Sequence, residues 1–223
     1  MGLIRFIKES IREGYEEAKQ EHQQELELYQ QIKQEPISLE KMAIALACPF
    51  REILMSTNFA GNAPHLYKLG MLTDKEKADT RQMLEQNFAI TDATDFQNEL
   101  NEMAEITFSI AENCQNNRHR DNPDYVPMYT AMACISLFQI LAGIDVEYMK
   151  WEKAQPYIDK LVNSILQLDE LNSWDKYASY VLKGEEEMEI NGVLGRKVIK
   201  LRINWLLTDE ESPWINMPWN QLY

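Results

Sequence analysis

Residues 125–144 read Tyr-Val-Pro-Met-Tyr-Thr-Ala-Met-Ala-Cys-Ile-Ser-Leu-Phe-Gln-Ile-Leu-Ala-Gly-Ile, the longest stretch of the chain without a charge. A membrane-spanning helix needs about 20 predominantly apolar residues. This run is interrupted by Thr130, Ser136 and Gln139, with Pro127 near one end and Gly143 near the other. The pattern predicts a helix from about Val126 to Leu141, buried at the centre of a soluble domain. A helix apolar on every side needs neighbours on every side, so the flanking sequence should supply more helices.

It does so in both directions. Downstream, Asp145 is expected to cap a helix with the stripe Trp151, Ala154, Ile158, Leu161, Ile165 and Leu168, bent at Pro156 because proline deletes one backbone bond. Asn172 and Ser173 are cap candidates for a helix holding Trp174, Tyr177, Ala178 and Val181. The last long helix runs from about Val193 to Leu207, with Leu194, Val198, Leu201 and Trp205 predicted inward. Upstream, Thr94-Asp95-Phe96-Gln97 reads as a capping box before the stripe Phe96, Leu100, Met103, Thr107, Ile110 and Cys114. Thr73-Asp74-Lys75-Glu76 is a second such box, and Ser38 opens a helix that Pro49 is expected to kink or break. Residues 3–34 read as one long helix through Leu3, Ile4, Ile7, Ile11, Tyr15, Ala18, Leu26, Tyr29 and Ile32, polar in its middle and ended by Pro36.

The fold class predicted is therefore all-α, a compact multi-helix orthogonal bundle with a long N-terminal helix. Residues 1–36 form that amphipathic helix, able to stand as an appendage, and residues 37–223 form an all-α globular domain. Composition agrees. The 223 residues include only 8 Gly and 8 Pro, fewer than the roughly 7% and 5% usual in folded proteins. That shortage disfavours a sheet-rich fold with many tight turns.

With 22 basic and 36 acidic side chains the formal charge is −14, which disfavours nucleic acid, whose binding rests on clustered Lys and Arg. Cys48, Cys114 and Cys134 form no CxxC pair and read as buried thiols of a reducing cytoplasm. Charge returns at Arg5, Lys8 and Glu9, too early for a signal-peptide core. The expectation is a cytoplasmic protein with no membrane span and no cofactor.

Catalytic signatures are thin: the chain has no G-x-S-x-G, H-E-x-x-H, P-loop or G-x-G-x-x-G. His22, His65 and His119 lie on separate segments. Arg118 and Arg120 could fork onto an anion, or could simply meet a helix C-terminal dipole. Glu185, Glu186, Glu187 and Glu189 could offer hard oxygen ligands to a divalent cation. Contiguous glutamates fan around a helix, so a solvated acidic face is the plainer expectation. Residues 145–189 carry eleven acids against five bases, whereas 190–208 carry Arg196, Lys197, Lys200 and Arg202 and no acid. The two blocks either pair with each other or leave a basic strip as a docking site. The tail Trp214, Ile215, Met217, Trp219, Leu222 and Tyr223 holds residue types that anchor interfaces, or else folds back to close the core. Trp214 and Trp219 are its candidate interaction residues.

Ala142-Gly143-Ile144-Asp145, Trp151, Ser173-Trp174-Asp175-Lys176-Tyr177, Tyr180 and Gly184 resemble the bacterial family called domain of unknown function 1266, as does the Leu69-Gly70-Met71-Leu72-Thr73 helix start. The similarity covers about residues 38–190. The resemblance implies an α-helical bacterial domain and no established reaction. The family often has an Asp and Arg residues in the helix before Ala-Gly, where this chain has Tyr129, Met132, Cys134 and Ser136. Any chemistry those charges perform in relatives would be missing here.

The functional expectation is a non-enzymatic domain that binds another protein, of interaction or toxin-neutralising type. The alternatives are a metal-assisted hydrolase using clustered carboxylates, and a structural protein that forms homo-oligomers through its N-terminal helix.

Overall fold

The computed structural model describes residues 19, 23–24, 26–55, 64–115, 122–189 and 192–221. The chain divides into two compact units, Met1–Pro36 and Ile37–Tyr223. In the first, residues 26–34 form helix α1, with the Gln23 amide donating to Glu27 Oε1 at 3.0 Å. The predicted helix over 3–34 falls largely on residues outside those described.

The second unit contains α2 (Leu39–Met55), a 3-10 turn (Pro64–Leu66), α3 (Asp74–Phe88), α4 (Ala93–Gln115), α5 (Tyr125–Asp145), α6 (Trp151–Leu166), α7 (Trp174–Glu187), α8 (Val193–Thr208), α9 (Pro213–Asn216) and a second 3-10 turn (Trp219–Gln221). Among the described residues there is no strand, and the fold is all-α. Helix α5 lies at the centre, packed against α2, α4, α6 and α7. It is long and apolar enough to cross a membrane, and most of it is buried by its neighbours.

The caps show which local signals decided the boundaries. Thr73 caps α3 as predicted: its hydroxyl accepts from Glu76 N, and Glu76 Oε2 accepts from Thr73 N at 2.8 Å. Ser173 caps α7 by accepting from Lys176 N at 3.2 Å. The box expected at Thr94 does not form. Asp92 takes that role, its Oδ1 accepting from Thr94 N and Asp95 N at 2.7 and 2.9 Å, while Asp95 accepts instead from Thr91. Asp145 is not a cap of α6 either: it is the last residue of α5, and α6 begins after Lys150.

Pro49 sits inside α2 without ending it. Proline has no N–H to give the carbonyl four residues back, which is that of Ala45. The Trp214 indole N–H supplies the missing donor at 2.8 Å. One residue on, the Leu46 carbonyl accepts from Tyr177 OH at 2.6 Å and from Cys134 Sγ at 3.1 Å. The locally weakened turn of α2 thus becomes the anchor for α9, α7 and α5.

Around that anchor lies an aromatic cluster. Trp174 stacks on Trp214 with ring centroids 4.9 Å apart and meets Trp219 edge-on at 4.8 Å. The Trp174 indole N–H donates to the Met217 carbonyl at 2.7 Å. Trp214 and Trp219 are buried, so the C-terminal tail closes the core and does not present these two rings to a partner. They are removed from the candidate interaction residues, because their faces are already covered.

Helix α8 corrects a second expectation. Ile199, Arg202, Ile203 and Leu206 face inward, whereas Leu194, Val198 and Leu201 are 78%, 39% and 69% exposed. The helix carries two apolar stripes, and periodicity alone does not rank them. The choice is made by the chain beyond it: the Ser212 hydroxyl donates to the Leu206 carbonyl and also caps α9. Docking Trp214 into α2 therefore turns the Leu206 side of α8 inward.

Two close approaches fix the packing of α5. A Cβ on Gly184 would lie 2.0 Å from the Pro127 carbonyl oxygen, and one on Gly143 would lie 2.2 Å from the Phe96 ring. We expect Gly184→Ala to lower stability by about 3 kcal/mol, because the obstacle is backbone and cannot turn away. Gly70→Ala, at φ +72° with open space around it, should cost only about 1 kcal/mol of left-handed strain. Urea denaturation of the two variants checks the ranking.

Candidate functional site

The outward face of α8 is the most unusual surface among the described residues. Leu194, Val198 and Leu201 fall at i, i+4 and i+7, so they line one side of the helix over two turns. Val193 at the N-terminal end is also exposed, and Trp205 continues the line half-buried. A monomeric surface tolerates scattered apolar side chains, but a contiguous stripe marks an interaction site. Arg196 approaches Glu186 of α7 at 3.5 Å. Lys197 and Lys200 are exposed and engage no carboxylate among the described residues. Arg202 points the other way and is buried, with its contacts inside the protein. Of the four basic residues singled out from the sequence, Lys197 and Lys200 lie on the exposed side of α8, Arg196 turns toward Glu186 of α7, and Arg202 is buried.

The acidic run separates as its helical spacing requires. Glu185 is fully buried, while Glu186 and Glu189 are exposed. Glu189 lies beyond the helix, at φ +52°. These carboxylates do not converge, and among the described residues no group of three His, Cys, Asp or Glu is placed to hold a metal ion. Arg118 and Arg120 lie outside the described residues.

A shallow groove of about 680 Å³ runs between α4 and α6, lined among others by Glu105, Glu112, Asp159 and Lys160. Lys160 is held over the Phe108 ring at 3.8 Å, and Phe108 stacks on Tyr157. That cation–π contact commits the lysine to the groove wall. Two of the thiols offer no nucleophile: burial pushes Cys134 up to about 12 and Cys114 up to about 11, so both are protonated and unreactive near neutrality.

Sequence reasoning missed a buried charged cluster. Arg51 of α2 and Asp145 at the end of α5 form an ion pair at 2.7 Å with both side chains shut off from solvent. Arg51 Nε donates to the His65 carbonyl at 2.8 Å, and Asp145 Oδ1 accepts from Gly70 N at 2.9 Å. The cluster ties α2, α5, the 3-10 turn and the following loop together. In the sequence, Asp145 reads as a cap and His65 as an isolated histidine, and Arg51 is not singled out. A buried ion pair of this kind specifies an arrangement more than it stabilises one. His65 is itself buried, and burial, reinforced by the neighbouring Arg51 cation and opposed by Asp145, pushes its imidazole down from 6.5 to about 4.

Two outcomes follow from this cluster. Arg51→Met or Asp145→Leu alone should cost about 3–5 kcal/mol, since each leaves a buried charge uncompensated, while the double variant should cost clearly less than the sum. Above pH 6.5 His65 is neutral in the folded and unfolded chain alike. Between pH 6.5 and about 4 only the unfolded chain takes the proton, so stability falls with pH through that window, by about 3 kcal/mol in all. Urea midpoints measured across this range should lose that component of the slope in His65→Gln. Comparison with known proteins finds no matching family model, no similar curated protein and no similar solved structure.

Proposed function

We propose that this chain is a non-enzymatic binding module that recognises another protein through the outward face of α8. The observation that carries it is the exposed line Leu194, Val198 and Leu201, with Lys197 and Lys200 beside it. Leaving these side chains in water forgoes about 1.5–3 kcal/mol each compared with burial, and a partner recovers that energy.

The residues behind the resemblance to domain of unknown function 1266 support the same view. Gly143 makes room for Phe96, Ser173 caps α7, Trp174 stacks on Trp214, and Gly184 admits Pro127. These are architectural roles, so membership in that family, which we retain as a proposal, brings a scaffold and no reaction. Ala142–Asp145, which the family pattern treats as a helix start, closes α5 here. We further read residues 37–223 as an orthogonally packed bundle located in the cytoplasm.

The test is a comparison of the wild-type chain with Leu194→Glu/Leu201→Glu. Both positions face water, so circular dichroism and Tm should stay close to wild type. A host protein held stoichiometrically by the wild-type chain should be lost from the variant. Retention of the same bound set by the variant overturns the proposal.

A further inference from the structure

We infer that the occupant of the α8 face is an acidic amphipathic helix of a different protein, paired alongside α8 in coiled-coil fashion. The inference rests on the reading of α8 as the binding surface and adds the chemistry of its partner.

The geometry is a heptad seam. Leu194, Val198, Leu201 and Trp205 fall at alternating steps of four, three and four, the d–a–d–a pattern that places knobs on one side of a helix for a facing helix to receive. Lys197 then occupies a g position, next to the seam, where the partner's flanking charge meets it. Lys200 lies one step further out on the same exposed side, and both lysines engage no carboxylate among the described residues. The face is therefore apolar at its centre and positive at its edge. Its complement is a helix with leucine-like residues on the seam and glutamate or aspartate beside them.

Two other occupants fit less well. A second copy pairing through its own α8 would bring no acid, because residues 193–208 contain none. Antiparallel pairing sets Lys197 against Lys197 or Asn204, and parallel pairing sets it against Arg202, which is buried in the body. An anionic bilayer would meet a plane's breadth of a chain carrying −14, whereas a single helix contacts little beyond the local face, within about one Debye length of roughly 8 Å. The seam is also short. Sixteen residues span about 24 Å, so the pairing should be reversible, with micromolar affinity on its own.

The experiment uses the full chain and two probe peptides of three heptads, each with Leu at a and d. One carries Glu at e and g, and the other Lys. Like charges on each probe oppose its self-pairing. Fluorescence anisotropy gives the affinities, and sedimentation gives the mass of the chain alone. The expected result is binding of the Glu probe in preference to the Lys probe, a loss of about tenfold for the Glu probe in Lys197→Glu/Lys200→Glu with a gain for the Lys probe, and no binding of either in Leu194→Glu/Leu201→Glu. Equal affinity for the two probes, both abolished in Leu194→Glu/Leu201→Glu, overturns the acidic partner while leaving α8 as the binding surface. A doubled mass that the leucine variant abolishes makes the occupant a second copy and overturns this inference. Binding to phosphatidylserine vesicles without binding to the Glu probe does so in favour of a membrane. If neither probe binds, and the leucine variant also keeps every host partner, this inference and the reading beneath it both fall.

Discussion

The carbonyl that Pro49 leaves without a backbone donor organises this molecule. In a helix interior, proline deletes one hydrogen bond and pushes on the preceding turn, at a cost of about 3 kcal/mol or more. Here the orphaned Ala45 oxygen receives the indole N–H of Trp214, 169 positions away in sequence. The adjacent Leu46 oxygen gathers Tyr177 and Cys134. A buried acceptor without a donor is expensive, so the turn that is weakest locally is the one that long-range contacts must satisfy. Helices α5, α7 and α9 are each held to α2 at that turn.

The consequences run outward from there. Trp214 in its seat draws Trp174 and Trp219 into one ring cluster and fixes α9. Ser212, which caps α9, reaches the Leu206 carbonyl and so sets the rotation of α8 about its axis. That rotation buries Ile199, Ile203 and Leu206 and turns the other apolar stripe toward solvent. The proposed binding surface thus depends on a proline in α2, a helix that packs against α8. Further along α2, Arg51 and Asp145 lock the end of α5, and their demand for mutual compensation fixes how those two helices meet.

Much of the scaffold was legible in the residues. Thr73 with Glu76, and Ser173 before Trp174, carry their boundaries in local chemistry, because a cap needs only a side-chain oxygen three residues from an unpaired N–H. The absence of charge over residues 125–144 marked the central helix for the same kind of reason: only burial on all sides suits it. Less was legible at the proposed binding surface. The basic strip of α8 was visible, but Leu194, Val198 and Leu201 read as core, since a 3.6-residue period reports that a stripe exists and not which way it faces. Trp214 and Trp219 suited either an interface or a core, because the residue type that anchors one also fills the other.

The sequence by itself determined that the chain is helical, where α3, α7 and α8 begin, and which helix must lie at the centre. All of these follow from neighbours within about four residues or from composition. The tertiary structure alone decided which apolar stripe of α8 meets water, that Asp145 meets Arg51 and does not cap a helix, and that the tryptophans close the core. Those outcomes draw on partners far apart in sequence, such as Gly70 with Asp145 and Ala45 with Trp214, 75 and 169 positions apart. A donor and an acceptor that far apart leave no periodic trace in the chain that joins them.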